Sequence, residues 1–313
     1  MPIARLSATR LKGYTLPLRL YYNQSVYIVN PALSGRSDEV AQIGIELIGS
    51  KNKRTDLEVI VTALEALQSC GLKDFRLEIG HIGFFNTLIA QLHISDSEKD
   101  EIRMLIETKN YPSLNDQLDQ LENKEVANAL KQLPALFGGE EVFEKAAALY
   151  DSETLRETTR YLKSIYTALS KSGLDDKISL DLGIVTRNDY YTGIVFKGYV
   201  RGLGTKVLVG GRYDSLLSDY GVDLPAIGFG INVDAVAGAI KNDDDAPPVA
   251  DVLLFAEEGY EVETLLRMNE LTKSGLVAEF SVFESFEKTK KYAIQKGIPK
   301  IYVIREETLE VSL

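Results

Sequence analysis

The 313-residue chain is 45% hydrophobic and 26% charged, enough for two domains with substantial cores. A formal charge of −11 with no long Lys/Arg run argues against a broad nucleic-acid footprint, which needs clustered cations against phosphate. One cysteine precludes an internal disulfide and fits a reducing cytoplasm. Two histidines beside it do not supply the usual ligands of a zinc centre, and no run of about 18 apolar residues suggests a membrane span.

The start, M-P-I-A-R-L-S-A-T-R-L-K-G, holds too short an apolar stretch for a secretory signal. Residues 16–29 and 40–48 alternate apolar and polar with β-branched enrichment, and the turn-rich N-P-A-L-S-G-R-S between them predicts an antiparallel hairpin. In the second run Gln42, Gly44, Glu46 and Ile48 share one face, while Ile43, Ile45 and Leu47 share the other. A helix follows. Thr55 and Glu58 have capping-box spacing, Leu57, Val61, Leu64 and Leu67 form an apolar stripe, and Gly71 suits the stop. Cys70, at the end of that pattern, reads as packing rather than chemistry.

F-R-L-E-I-G at 75–80 is the next strand, followed by His81. Residues 84–172 then show repeated helical patterns and no convincing strand, which predicts a helical insertion within a sheet domain. Its stripes are Leu114, Leu118 and Leu121, then Leu155, Leu162, Ile165 and Leu169 before Gly173. His93 falls inside a helical pattern, and both histidines read as structural. Strands resume at I-S-L-D-L, G-I-V-F-K-G-Y-V and K-V-L-V-G-G, with R-G-L-G at 201–204 as a hairpin turn. A-I-G-F-G-I-N-V leads into the short helix D-A-V-A-G-A-I.

By composition K-N-D-D-D-A-P-P (241–248) is a linker, dividing a core of residues 1–240 from a C-terminal domain at 250–313. The latter reads D-V-L-L-F-A, a helical run to Gly275, V-A-E-F, a second helical run to Gly297, and K-I-Y-V-I. That β-α-β-α-β order predicts a small, mostly parallel α/β domain.

The stretch from Asp181 to Asp214 carries the densest ligand-capable chemistry. Asp189, Tyr190, Tyr191, Thr192, Arg212, Tyr213 and Asp214 sit at the ends of strand-like runs, where a sheet can present them to a pocket. Tyrosines with carboxylates suit a ligand that has a hydrogen-bonding ring and a charged end. No nucleophile–base pair accompanies them, so the chain reads as a binder. The glycines do not make a nucleotide site: G-F-G-I-N-V lacks a complete dinucleotide fingerprint, and there is no G-x-x-x-x-G-K-[ST]. Gly210 and Gly211 instead suit close approach of the backbone to a neighbour or ligand. From spacing alone Gln42 and Glu46 fit a solvated strand face equally well. Tyr190 and Tyr191 likewise fit packing aromatics with one wet edge.

Q-I-G-I-E-L-I-G (42–49), N-D-Y-Y-T-G (188–193), G-G-R-Y-D (210–214) and G-F-G-I-N-V-D (228–234) occur in the order found in the histidyl-tRNA synthetase core, which residues 1 to about 240 resemble. The resemblance implies an α+β fold: a class II synthetase-like antiparallel sheet core with the helical insertion, followed by an abbreviated anticodon-binding-like α/β domain. Within that group the chain most resembles the synthetase-like regulatory-subunit family of ATP phosphoribosyltransferase, which P-I-A-R-L-S-A-T-R-L also matches. That family is a non-catalytic, cytoplasmic partner of a short-form catalytic subunit in a hetero-oligomer, with histidine as regulatory ligand and no cofactor, metal or nucleic acid. The resemblance begins after the first class II motif, which builds the dimer interface. That leaves open a fragment, a misassigned start or a compensating contact.

The resemblance also distinguishes pocket from catalyst. The synthetase arginines that hold ATP phosphates align with Ile28 and Ala235, and the arginine before D-Y-Y aligns with Thr186, with Arg187 one residue displaced. Neither Ile nor Ala can donate a charge-assisted hydrogen bond to phosphate. By resemblance, Glu46 and Tyr191 contact an imidazole, Gln42 holds the α-amino end, Tyr213 lines the cavity and Arg187 reaches the α-carboxylate. The alternative is a histidine-activating synthetase-like enzyme.

Overall fold

The computed structural model describes residues 2–30, 37–186, 190–240 and 249–313. Residues 31–36 of the expected turn-rich connection at 30–37, and the expected linker at 241–248, lie outside the described residues. Backbone contacts divide the chain into two units, Met1–Lys241 and Asn242–Leu313.

The first unit opens with α1 (Pro2–Thr9), β1 (Leu18–Tyr27), β2 (Glu39–Ile48), α2 (Lys53–Ser69) and β3 (Phe75–His81). The insertion supplies α3 (Gly83–Ile89), α4 (Asp96–Glu107), α5 (Tyr111–Asp119), α6 (Lys124–Gln132), a two-residue β4 (Phe137–Gly138), α7 (Val142–Ala147) and α8 (Glu153–Lys171). It closes with β5 (Ile178–Asp181), β6 (Ile194–Val200), β7 (Lys206–Arg212), β8 (Ala226–Asn232) and α9 (Val233–Ala239). The eight strands form one sheet in the order β1-β2-β8-β7-β6-β3-β5-β4, antiparallel except where β3 meets β5. The first hairpin runs in unbroken register from Leu18 opposite Ile48 to Tyr27 opposite Glu39.

Strand alternation assigns the two sheet faces different work. Leu47, Leu77, Ile79, Phe196, Leu208, Ile227 and Phe229 point to one side, where they share a core with Val59, Ile60, Ala63, Leu64 and Leu67 of α2 and Leu162, Ile165 and Leu169 of α8. At about 25 cal/mol per Å² of apolar surface removed from water, this layer is the main stabilising term of the unit. Gln42, Gly44, Glu46, Gly228 and Gly230 alternate onto the opposite face.

Local chemistry corrects several expectations. The α2 cap is Asn52, not Thr55: the Asn52 side-chain oxygen accepts the Thr55 N–H at 3.1 Å, and Thr55 lies inside the first turn. Glu58 instead pairs with Arg19 of β1 at 2.9 Å. The buried stripe of α2 is rotated from the expected one, with Leu57 and Val61 only half-buried. Cys70 caps α2 and is exposed rather than packed, while Gly71 takes the left-handed φ of +82° that ends the helix. His93 is exposed in the loop between α3 and α4, because the capping box of Ser95 and Glu98 starts the helix after it.

The second unit contains β9 (Val252–Ala256), α10 (Glu261–Lys273), β10 (Ala278–Phe280), α11 (Phe286–Lys296), β11 (Lys300–Ile304) and β12 (Leu309–Ser312). Its sheet, β10-β9-β11-β12, is parallel except for β12, a closing antiparallel strand that the sequence pattern did not announce. Leu253 and Phe255 pack with Ala293 of α11, and Val252 and Leu254 with Leu271 of α10, so successive strand residues serve opposite faces.

Candidate functional site

A glycine floor makes the principal cavity. Register aligns Leu20, Glu46, Gly228 and Gly211 across β1, β2, β8 and β7, and Tyr22, Gly44, Gly230 and Val209 in the adjacent row. A Cβ on Gly44 would lie 2.5 Å from the Tyr22 ring, one on Gly230 2.6 Å from Gln42 Cδ, and one on Gly211 2.7 Å from the Tyr191 ring. One on Gly228 would overlap the Glu46 carboxylate. Four side chains therefore lie close over a floor that has none of its own.

Over this floor the polar groups hold one another. Tyr213 donates to Glu46 Oε2, and Tyr22 donates to Gln42 Oε1 at 2.7 Å. The Tyr190 ring lies 4.5 Å from that of Tyr191 and 5.9 Å, edge-on, from that of Tyr213. Tyr191 and Tyr213 are 7% and 6% exposed and pack with Leu18, Ile48, Val195 and Leu217. Burial raises the Tyr22, Tyr191 and Tyr213 phenols, with nearby Glu46 adding to each, so all three remain neutral donors.

Burial also pushes the Glu46 carboxyl up to about 7, an effect the Tyr213 hydrogen bond only partly opposes. A folded value above the ordinary 4.5 favours the protonated folded form. The ligand-free protein should therefore lose stability as pH rises from about 4.5 to about 7, by at most about 3 kcal/mol because water entering the cavity screens the charge. Urea denaturation of wild type and Glu46→Gln at about pH 5 and pH 8 checks this. The wild type should show a pH-dependent loss that the variant lacks, and superimposable pH profiles would refute it.

The cavity encloses about 620 Å³ and continues past Gln42 to Val26, Ile28, Glu39, Asn232 and Asp234. Ile28 stands where the resemblance places a phosphate-binding arginine, and Ala235 is tucked against the core. Asp234 accepts the Ala41 N–H at 3.2 Å, and Asn232 caps α9 through the Ala235 N–H at 2.9 Å. Lys206 is the one cation lining the cavity among the described residues, against Glu39, Glu46 and Asp234. Such a lining suits phosphate poorly.

Thus the structure brings Gln42, Glu46, Tyr190, Tyr191 and Tyr213 together. Arg187 and Asp189 lie outside the described residues. The expectation that Thr192, Arg212 and Asp214 share this pocket is corrected: they line a separate depression with Lys51, His81 and Tyr161. Arg212 is the last residue of β7 and Tyr213 follows it, so the two side chains leave the extended chain on opposite sides and Arg212 faces the helical side. There it binds Asp56 of α2 (Nε to Oδ1, 2.9 Å), Asp214 Oδ1 at 2.9 Å and the Ser50 carbonyl at 3.3 Å. His81 Nδ1 accepts the Gly83 N–H at 3.0 Å, and burial lowers its pKa to about 4, which keeps it neutral. Sequence reasoning missed Tyr22 and the floor roles of Gly44, Gly228 and Gly230. Their only trace was period-two spacing in strands whose register was unknown.

A family profile described as histidyl-tRNA synthetase matches residues 1–236. The ATP phosphoribosyltransferase regulatory subunit of Clostridium kluyveri is 37% identical over 302 residues, covering 95% of this chain and 77% of that protein. A Bacillus halodurans structure described as an ATP phosphoribosyltransferase regulatory subunit/histidyl-tRNA synthetase superposes with a TM-score of 0.82 at 30% identity, over 94% of this chain and 75% of that one. Histidyl-tRNA synthetase from Nostoc sp. PCC 7120 shares the fold, with a TM-score of 0.78 at 20% identity over 99% of this chain and 79% of that one. No helix is long and apolar enough to cross a membrane among the described residues. On the strength of these matches, the chain belongs to the histidyl-tRNA synthetase-like family of ATP phosphoribosyltransferase regulatory subunits.

Proposed function

We propose that this chain is a non-catalytic regulatory subunit that binds histidine and acts on a short-form ATP phosphoribosyltransferase catalytic subunit. The observation that carries the reading is a carboxylate–phenol recess, Glu46 with Tyr191 and Tyr213, beside an outer compartment lined by Ile28, Glu39 and Asp234, of which Ile28 takes the place that the resemblance gives to a phosphate-binding arginine. An imidazole offers two ring nitrogens, and a carboxylate and a phenol are suited to them. Glu46 accepts one ring N–H and the Tyr191 hydroxyl meets the other nitrogen. The Gln42 carbonyl oxygen, already holding the Tyr22 hydroxyl, has a second lone pair for the α-amino group. Arg187 is assigned to the α-carboxylate.

Histidine regulates only if it binds one assembly state more tightly than another, since tight binding to both transmits nothing. Phosphoribosyltransferase activity of the catalytic subunit, measured with and without this chain, tests the proposal. Stimulation that saturates near stoichiometry, and that histidine reverses, is expected. No effect of a folded preparation at stoichiometric excess would reject it. Histidine-dependent pyrophosphate exchange by the chain alone should be absent; its presence would establish the synthetase-like alternative.

A further inference from the structure

The face of the first sheet that carries the glycine floor has a second polar recess at its other end, over β6, β3 and β5. About 220 Å³ is enclosed there, lined among others by Glu78, Glu107, Lys109, Asp181, Lys197 and Tyr199. Register sets Lys197 opposite Glu78, and Glu78 beside Ser179. Because Leu77, Ile79, Leu180 and Phe196 enter the apolar core, alternation turns Glu78, Asp181 and Lys197 together to the recess side. At roughly 30 Å³ per water the space takes on the order of seven waters, or as many heavy atoms of a small solute.

The charges there are poorly provided for by the chain. Lys197 Nζ donates to the Val185 carbonyl at 3.3 Å and, among the described residues, forms no ion pair. Asp181 Oδ1 accepts one backbone N–H, from Gly183 at 2.9 Å. Burial raises the Asp181 and Glu78 pKa values and, with the field of Lys206, lowers that of Lys197, a lowering that the fields of Glu107, Asp181 and Glu78 oppose. Desolvated charges of both signs that face one space without closing on each other leave vacant valences of both signs. A purely structural pair would be in contact.

We propose that this recess binds a small zwitterion of the α-amino-acid class, with Lys197 taking its carboxylate and Asp181 and Glu78 its ammonium group. A lone anion would meet three carboxylates, those of Glu78, Glu107 and Asp181, and a lone cation would meet Lys197 and Lys109. A molecule carrying both charges within a few bonds matches the lining. The site uses none of the residues assigned to histidine, so it stands or falls apart from that assignment.

Calorimetric titration of the full chain with alanine, and separately with acetate and with ethylamine, tests it. Saturable alanine binding is expected, with each half-ligand weaker by at least about tenfold. Lys197→Met and Asp181→Asn should each weaken alanine binding by a similar factor, and Glu46→Ala should leave it in place. Absence of saturable alanine binding would show that the recess holds water alone and overturn the proposal. Half-ligands that bind as well as alanine, or alanine binding that disappears in Glu46→Ala but persists in Lys197→Met, would overturn it too. Should either recess variant fail to fold by circular dichroism, wild-type selectivity together with Glu46→Ala decides the matter.

Discussion

Replacing Asp56 with alanine should destabilise the first unit by about 3–5 kcal/mol, the cost of leaving a buried guanidinium without its carboxylate. The Asp56 side chain is 0% exposed and that of Arg212 7%. Asp56 receives Nε of Arg212 at 2.9 Å, the Arg212 Nη2 group and the Tyr161 hydroxyl, which joins α8 to the same carboxylate. One cluster thus ties the first turn of α2, the end of β7 and the face of α8. Desolvation makes the loss asymmetric: the pair adds little net stability over an apolar filling, yet half of it alone is costly. The double variant Asp56→Leu/Arg212→Met should therefore recover much of what Asp56→Ala loses. Urea denaturation monitored by circular dichroism measures both. A loss below about 1 kcal/mol for Asp56→Ala would mean that Arg212 finds water or another partner.

The second large effect concerns the ligand. Glu46→Ala should lower histidine affinity by between about tenfold and a hundredfold, corresponding to roughly 1.5–3 kcal/mol for a hydrogen bond involving a charged group. Gly228→Ala should reach a similar end from beneath, because its methyl would occupy space now held by the Glu46 carboxylate and crowd the Ile45 carbonyl. That overpacking should also cost about 1–3 kcal/mol of stability, so Tm and affinity must be read together. Calorimetry supplies the affinities. Histidine binding that is indifferent to Glu46→Ala would remove this carboxylate from the site.

Much of the architecture was legible because it is local. The first hairpin follows from period-two alternation around a turn, and the insertion from leucine stripes such as Leu155, Leu162, Ile165 and Leu169, all buried on α8. Both helices of the second unit stop at glycines with left-handed φ, +92° at Gly275 and +74° at Gly297. Misreadings arose where two local solutions compete. Asn52 outcompetes Thr55 as a cap because its carbonyl reaches the Thr55 N–H, and Ser95 with Glu98 claims the helix start that leaves His93 in a loop.

The sequence by itself determined most of the element order, though not β4 or β12, the polar face of β2 with Gln42 and Glu46, and the family motifs that gather ligand-capable residues near the ends of β7 and β8. Only the tertiary structure decided which of those residues meet. Tyr213 and Arg212 are neighbours in the chain, yet one hydrogen-bonds Glu46 over the glycine floor and the other is held by Asp56 behind the sheet. The physical reason is that a strand turns successive side chains to opposite faces, while the partner each one finds is set by cross-strand register. Register depends on pairing between residues far apart in sequence, such as Glu46 with Gly228, which no local pattern encodes.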